Sequence, residues 1–232
     1  MTMDELKYHY KYPHPSVTTD CVILGFDGLR LKVLLIQRGA DPYKGRWAFP
    51  GGFMNIDESA ETGALRELQE ETGLEGAAVR QFHSFTQPGR DPRERVITIA
   101  FYALVRLQSV KGGDDAADAR WFDLDNLPPL AFDHGMILRT AIKELRKQTY
   151  FEPFGMEVLP ETFTFGELSN LYKALRGDSL DEHRLFEDMR RVGLILSPDG
   201  QKLPEGVSAV GLFCFDVEKY VRMKTTEDWL GF

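Results

Sequence analysis

The chain reads as an α/β protein: an α/β/α sandwich built on a mixed sheet, followed by a small winged-helix-like α+β domain. Three observations predict this. The apolar, β-branched stretches 17–26 and 31–37 flank Asp27-Gly28, a hairpin turn signal. Residues 96–107 form a long, nearly continuous apolar run of the kind buried on both faces of a sheet. Helical patterns then supply a layer for each face: one follows Glu58 and stops at Gly73, and one spans 134–148.

Taken in order, residues 1–16 carry Tyr8, Tyr10, Tyr12, His9 and His14 with two prolines, and read as an extended arm. The hairpin is followed by a loop, 39–46, and by Trp47-Ala48-Phe49-Pro50 leading into Gly51-Gly52. After the first helix, 78–85 reads as a strand and 86–95 as a loop holding Arg90, Arg93 and Arg95. The acidic turn Gly112-Gly113-Asp114-Asp115 precedes a strand at 119–122, and 125–133 is irregular. Composition shifts at 150–160, a linker signal, which divides the chain into the arm, a domain over 17–149 and another over 156–232. In the second, Thr164-Phe165-Gly166-Glu167 and Ser179-Leu180-Asp181-Glu182 are capping boxes opening helices to Leu175 and Arg191. Strands at 194–196 and 209–215 and a terminal helix and tail complete the winged-helix pattern.

Composition narrows the function classes. A hydrophobic content of 43% with 28% charged residues fits a globular protein, and no apolar run approaches the length of a membrane span. The first residues lack a basic start before an apolar stretch, so they do not read as a secretory signal. Cys21 and Cys214 sit far apart in apolar runs, which predicts free thiols in a cytoplasmic protein. A net charge of -8 does not favour a nucleic-acid partner.

The chemistry concentrates between Gly51 and Leu74. Glu67, Glu70 and Glu71 are spaced i, i+3, i+4 and share one side of a helix, where like charges repel. A solvated acidic face is the plain reading; a hard divalent cation with oxygen ligands would turn the repulsion into attraction. Leu65, Leu68 and Thr72 fall on another face suited to a sheet, Ala60 and Ala64 leave room beside Glu67 and Glu71, and Arg66 can pair with Glu70.

The complete pattern, G-x5-E-x7-R-E-L-x-E-E-x-G-L from Gly52 to Leu74, resembles the signature of the Nudix hydrolases, with no position missing. The resemblance covers about 18–147 and implies the sandwich already read from the strands. It implies hydrolysis of a nucleoside diphosphate linked to another group, with Mg2+ or Mn2+ held by Glu67, Glu70, Glu71 and the Gly52 carbonyl. Glu67 and Glu70 would then be catalytic, Glu58 would support the loop, and Arg66 would orient a glutamate. A general base comes from outside the signature, and Asp114 or Asp115, above all Asp115, is the candidate. Arg38, Arg90 and Arg93 suit phosphate oxygens, and Phe53 or Trp47 suits a base, with core packing as the alternative for both rings.

Four further segments are similar to a Nudix subgroup with a C-terminal winged helix: 34–38, 47–53, 90–93 and Pro129-Leu130-Ala131-Phe132-Asp133-His134. That subgroup includes ADP-ribose pyrophosphatases and transcriptional regulators that sense ADP-ribose or related metabolites, many of them homodimers. The intact signature favours hydrolysis. Residues 156–232 carry nine Lys/Arg against fourteen Asp/Glu, a poor balance for DNA phosphates, although Arg190 and Arg191 leave DNA binding open as the alternative.

Overall fold

The computed structural model of the protein describes residues 10–113, 116–177 and 180–225. The first part runs β1 (Ser16–Phe26), β2 (Leu31–Arg38), β3 (Trp47–Ala48), α1 (Ala60–Thr72), β4 (Arg80–Phe85), β5 (Val96–Arg106), β6 (Ala116–Asp123) and α2 (His134–Gln148). The second runs β7 (Phe163–Thr164), α3 (Phe165–Arg176), α4 (Glu182–Arg191), β8 (Ile195–Leu196), β9 (Leu212–Phe215) and α5 (Val217–Thr225).

The mixed sheet is organised around β1, which pairs in parallel with β5 along its whole length, from Ser16 opposite Val96 to Phe26 opposite Arg106. β4 closes that side antiparallel to β5. On its other edge β1 meets β2 only at Leu24–Val33, Gly25–Lys32 and Phe26–Leu31, next to a turn whose Leu29 and Arg30 N–H groups donate to the Asp27 carboxylate. β2 pairs with β6 along its other edge throughout, and beyond the point where it leaves β1 it takes β3 at Ile36 and Gln37. The edge of β1 left behind is filled by backbone: Cys21 N–H donates to Pro50 O (2.8 Å), Thr19 N–H to Gly52 O (2.9 Å), and Met54 N–H to Val17 O (3.0 Å). Unpaired backbone groups at that depth would be costly, so this segment is fixed in place.

Alternation along β1 sends Val22, Leu24 and Phe26 toward α2, and Cys21 and Ile23 toward α1. The Ser59 side chain caps α1 by accepting the Thr62 N–H, and Gly73 ends it at a positive φ of 69°. Its buried stripe is Gly63, Ala64, Leu68, Glu71 and Thr72. Ala64 therefore does not leave room beside the glutamates as the spacing suggested; it packs in the core, and its carbonyl accepts from Cys21 Sγ. Burial of Leu68 and its apolar neighbours stabilises by about 1.5–3 kcal/mol each.

The second part holds a three-stranded sheet, β7-β9-β8, beside α3, α4 and α5. β7 carried no strand signal in the sequence, being two residues that also open α3. Residues 209–211, expected at the start of β9, lie outside it, and β6 is longer than the expected 119–122. Asp181 caps α4, its carboxylate accepting the Arg184 N–H at 3.0 Å, so α4 starts two residues later than a Ser179 cap would place it; Ser179 itself lies outside the described residues.

The segment 150–160 is packed: Phe154 and Leu159 are buried, and one apolar cluster runs continuously from β1 and α2 into α3, α4 and α5. Arg106 donates to Leu159 O, Arg146 Nε to Leu175 O (3.3 Å), and Arg176 to Thr149 O. Of the arm, Tyr10 and Tyr12 are exposed, and residues 1–9 lie outside the described residues.

The fully buried Tyr172 hydroxyl accepts the Phe154 N–H at 3.1 Å. Tyr172→Phe strands that amide, and urea unfolding is expected to show a loss of about 1–3 kcal/mol. An unchanged midpoint and slope would mean that the bond contributes nothing.

Candidate active site

The divergence of β1 from β2 opens a pocket of about 380 Å³, lined among others by Thr18 and Asp20 of β1, Ile36 and Arg38 of β2, Gly51 and Gly52, Glu67 and Glu71 of α1, and His134 of α2. Gly51 has a φ of 154°, and a Cβ there would collide with the Thr19 carbonyl oxygen. A Cβ at Gly52 would fall 2.5 Å from Glu67 Oε1. Gly51 is needed because the Thr19 backbone leaves no room for a Cβ, whereas a Cβ at Gly52 would push the Glu67 carboxylate aside.

The acidic residues do not behave alike. Glu71 is buried, and its Oε2 accepts the Gly51 N–H at 2.9 Å. Burial, with Glu67 and Asp20 adding their charges, pushes its carboxyl up to about 8, against the opposing Gly51 bond and Arg38. Burial also raises Glu67. Glu70 does not line the pocket; it is partly exposed and bound to Arg66 at 2.9 Å.

Arg66 is the hub of this end. Its guanidinium reaches Glu67 (2.9 Å), both oxygens of Glu58 (2.8 and 3.1 Å) and Phe53 O (3.2 Å) as well as Glu70. Glu58 also accepts the Asn55 N–H at 2.7 Å, and Arg66, ahead of that bond, holds its carboxyl down at about 2. Glu58 and Arg66 thus tie the loop to α1, and the Arg66–Glu70 pair is the one that the helical spacing suggested. Among the described residues, no three carboxylate, imidazole or thiol groups converge on one point, since Arg66 stands between Glu58, Glu67 and Glu70.

The donor set nevertheless fits a hard divalent cation. It is all oxygen, the glycine cradle brings backbone against Glu67, and at Glu71 burial outweighs Arg38 and the Gly51 N–H, so a divalent charge beside it would favour its ionised form.

The pocket lining also alternates rings and guanidinium groups. Arg93 lies 5.3 Å from the centre of the Phe53 ring and 5.9 Å from that of Phe132, and Arg38 lies 4.9 Å from Phe132. Phe132 holds a positive φ of 48°, a conformation costing roughly 1–3 kcal/mol in a residue with a side chain. That turn, with Tyr43 edge-on at 4.8 Å, places its ring at the rim. Arg93 is clamped by Asp91 (2.7 and 3.0 Å), and Arg38 Nε donates to Pro42 O (2.8 Å).

Arg90 lines the pocket but is almost wholly buried and engaged with both oxygens of Asp133 (2.8 and 3.1 Å). Trp47 packs edge-on against Phe122 at 4.6 Å, so core packing is its role, whereas Phe53 is exposed in the pocket. Asp114 and Asp115 lie outside the described residues. Their neighbours dock on the end of α1, with Lys111 N–H donating to Thr72 O (3.2 Å) and Gly113 N–H to Glu71 O (3.3 Å).

Sequence reasoning assigned no role to Asp20, Asp91, Phe132 or His134, all of which line the pocket. Asp20 did leave a signal, a carboxylate inside an apolar strand, where a charge is expensive without a purpose.

The raised Glu71 carboxyl has a consequence for stability. Unfolded, it ionises near its ordinary value of 4.5; folded, it keeps its proton up to about 8. The folded state binds the extra proton in that window, so stability is full below pH 4.5 and falls as pH approaches 8. With chelator present, Glu71→Gln is expected to melt above the wild type at pH 8 and to flatten the decline. Melting curves with parallel pH slopes for both proteins would contradict this.

Comparisons with known proteins agree with this geometry. Residues 14–162 match the NUDIX domain model. The chain is 30% identical over 214 residues to an ADPR responsive transcriptional repressor, NtrR, of Acinetobacter baylyi, covering 90% of this chain and 85% of that one. It is 43% identical over 139 residues to an ADP-ribose pyrophosphatase of Methanocaldococcus jannaschii, covering 60% of this chain and 80% of that one. Its fold superposes on Shewanella oneidensis NrtR complexed with a 27mer DNA with a TM-score of 0.72 at 28% identity, covering 88% and 95% of the two chains. With the glycine cradle, the acidic helix and a match spanning more than half its length, the chain belongs to the Nudix family.

Proposed function

We propose that the protein is a pyrophosphohydrolase that cleaves ADP-ribose or a related nucleotide sugar with the help of Mg2+ or Mn2+. One observation carries the reading: a single pocket is lined by Glu67, Glu71 and Gly52 together with Arg38, Phe53, Arg93 and Phe132. Such a cavity suits a ligand with charged phosphates in the middle and a flat ring at one end. The likeness to an ADP-ribose pyrophosphatase supports the substrate class.

Glu67, Glu70, Glu71 and the Gly52 carbonyl would hold the cation, with Arg66 orienting Glu67 and Glu70 until it binds. When bound, the cation neutralises phosphate charge and makes water a better nucleophile at neutral pH. Arg93 and Arg38 steady the phosphates from the rim, and Phe53 offers a face for the base. Arg90 acts at one remove, since its guanidinium is already committed to Asp133. Asp115 is our candidate for the base that takes the proton of the attacking water; the docking of Lys111 and Gly113 on α1 supports it. Water adds to one phosphorus as the bridging P–O bond breaks, giving AMP and ribose 5-phosphate from ADP-ribose. The free thiols Cys21 and Cys214 fit a protein working in the reducing cytoplasm, and a homodimer belongs to the same reading.

Incubation with ADP-ribose and magnesium is expected to yield AMP and ribose 5-phosphate, and Glu67→Gln or Glu70→Gln to cut the rate about 100-fold. No turnover of any nucleoside-diphosphate derivative by the wild type would refute the proposal.

A second reading, an ADP-ribose-responsive regulator, is favoured by the course of α2. Its first residue, His134, lines the pocket, and its far end holds α3 through Arg146, Thr149 and Arg176. The likeness to the repressor and to the DNA-bound structure supports it as well. Electrostatics oppose it: on α4, Arg184 and Arg191 pair with Asp188, and Arg190 with Glu187, leaving little charge for a phosphate backbone. Binding to the duplex upstream of its own gene, compared with a random duplex at two salt concentrations and with or without ADP-ribose, decides the matter. Equal affinity throughout excludes the regulator.

A further inference from the structure

Asp20, Arg90 and His134 line the pocket without a part in the reading above that touches phosphate or cation, and Asp133 reaches Arg90 from outside the lining. Arg90 and Asp133 form a two-bonded pair (2.8 and 3.1 Å) whose charges cancel. His134 is neutral, because its Nδ1 accepts the Phe49 N–H at 2.9 Å and so carries no proton. Burial lowers its pKa as well.

Asp20 is therefore left as a surplus negative charge. Its side chain is nine-tenths buried and lines the pocket. Its two contacts are long, 3.4 Å from Oδ2 to an Arg90 nitrogen and 3.5 Å from Oδ1 to His134 Nε2. These sit at the outer limit of hydrogen bonding, so both oxygens keep lone pairs for a better donor. A surplus negative charge repels phosphate oxygens and suits hydroxyl groups, which can only donate to it. The phosphates find their positive partners elsewhere, at Arg38 and Arg93.

We propose that Asp20 is the specificity-determining residue of the pocket, accepting hydrogen bonds from the hydroxyls of the sugar on the far side of the diphosphate. The assignment rests on the pyrophosphohydrolase reading and deepens it, marking a polyol-bearing diphosphate as the preferred substrate class. His134 and Arg90 are positioning residues: the first is anchored by the Phe49 backbone, the second by Asp133, and both lie beside the Asp20 carboxylate.

The test is calorimetric titration of the full chain with ADP-ribose and with ADP, in chelator so that neither turnover nor a cation enters. Asp20→Asn is expected to weaken ADP-ribose about tenfold, the worth of a hydrogen bond to a charged group. ADP, which lacks the sugar and ends in a charged phosphate, should bind as before or more tightly, and so reports that the pocket is intact. Equal weakening of both ligands, or no change in either, overturns the assignment while leaving the hydrolase reading standing. A wild type that binds neither ligand in chelator overturns the assignment, whereas the hydrolase reading is decided separately by turnover of ADP-ribose with magnesium. If the variant does not fold, the wild type itself decides: it should prefer ADP-ribose about tenfold over the cyclopentyl ester of ADP, similar in size without hydroxyls. Equal affinity for the two overturns the assignment.

Discussion

The structure depends on one break in a ladder. β1 and β2 pair for three residues and part, and the exposed edge of β1 is taken by the carbonyls of Pro50 and Gly52. A buried strand edge must be satisfied, and here it is satisfied by irregular backbone instead of another strand. That choice opens the pocket and brings Gly51 and Gly52 against α1. The same closeness that excludes a Cβ at Gly51 brings its N–H to Glu71 and the Gly52 backbone beside Glu67.

Around this break, charge is arranged in tiers. Arg66 balances the outer carboxylates Glu58 and Glu70 and one oxygen of Glu67, so this end of α1 is held in shape without an added cation. Glu71 lies deeper, and the Gly51 N–H and the Arg38 charge do not offset its burial, which leaves it reluctant to ionise. Desolvation dominates there, and the tension it stores is what a divalent cation would relieve. Arg90 shows the opposite outcome: buried, but matched by Asp133 with good geometry.

The second part is joined to the first by more than chain connectivity. Phe154, Leu159, Tyr172 and Tyr220 continue the apolar cluster that starts on β1, and the basic end of α2 grips the last turn of α3. A helix whose two ends touch a ligand pocket and a neighbouring module is suited to transmit occupancy, provided the two arrangements it connects differ in energy. On α4, Arg190 and Arg191 are each paired with a carboxylate of the same helix.

By itself, the sequence determined the periodic and local features. These are the acidic ridge at i, i+3, i+4, the Gly73 stop, the Asp27-Gly28 turn, the Thr164–Glu167 capping box and the doubly buried strand at β5. Each is written within a few residues, where helix period, turn conformation and capping act directly. Only the tertiary structure decided which of those residues share a cavity. Asp20, Phe132 and His134 come from segments more than a hundred residues apart, and Arg90 is drawn inward by Asp133, a partner 43 residues away. Ala64 and Glu71 were assigned to an open face by spacing, yet the sheet buries both, because a helix face is set by what packs on it. Local chemistry fixes what each residue offers; the parting of β1 from β2 decides which of those offers meet.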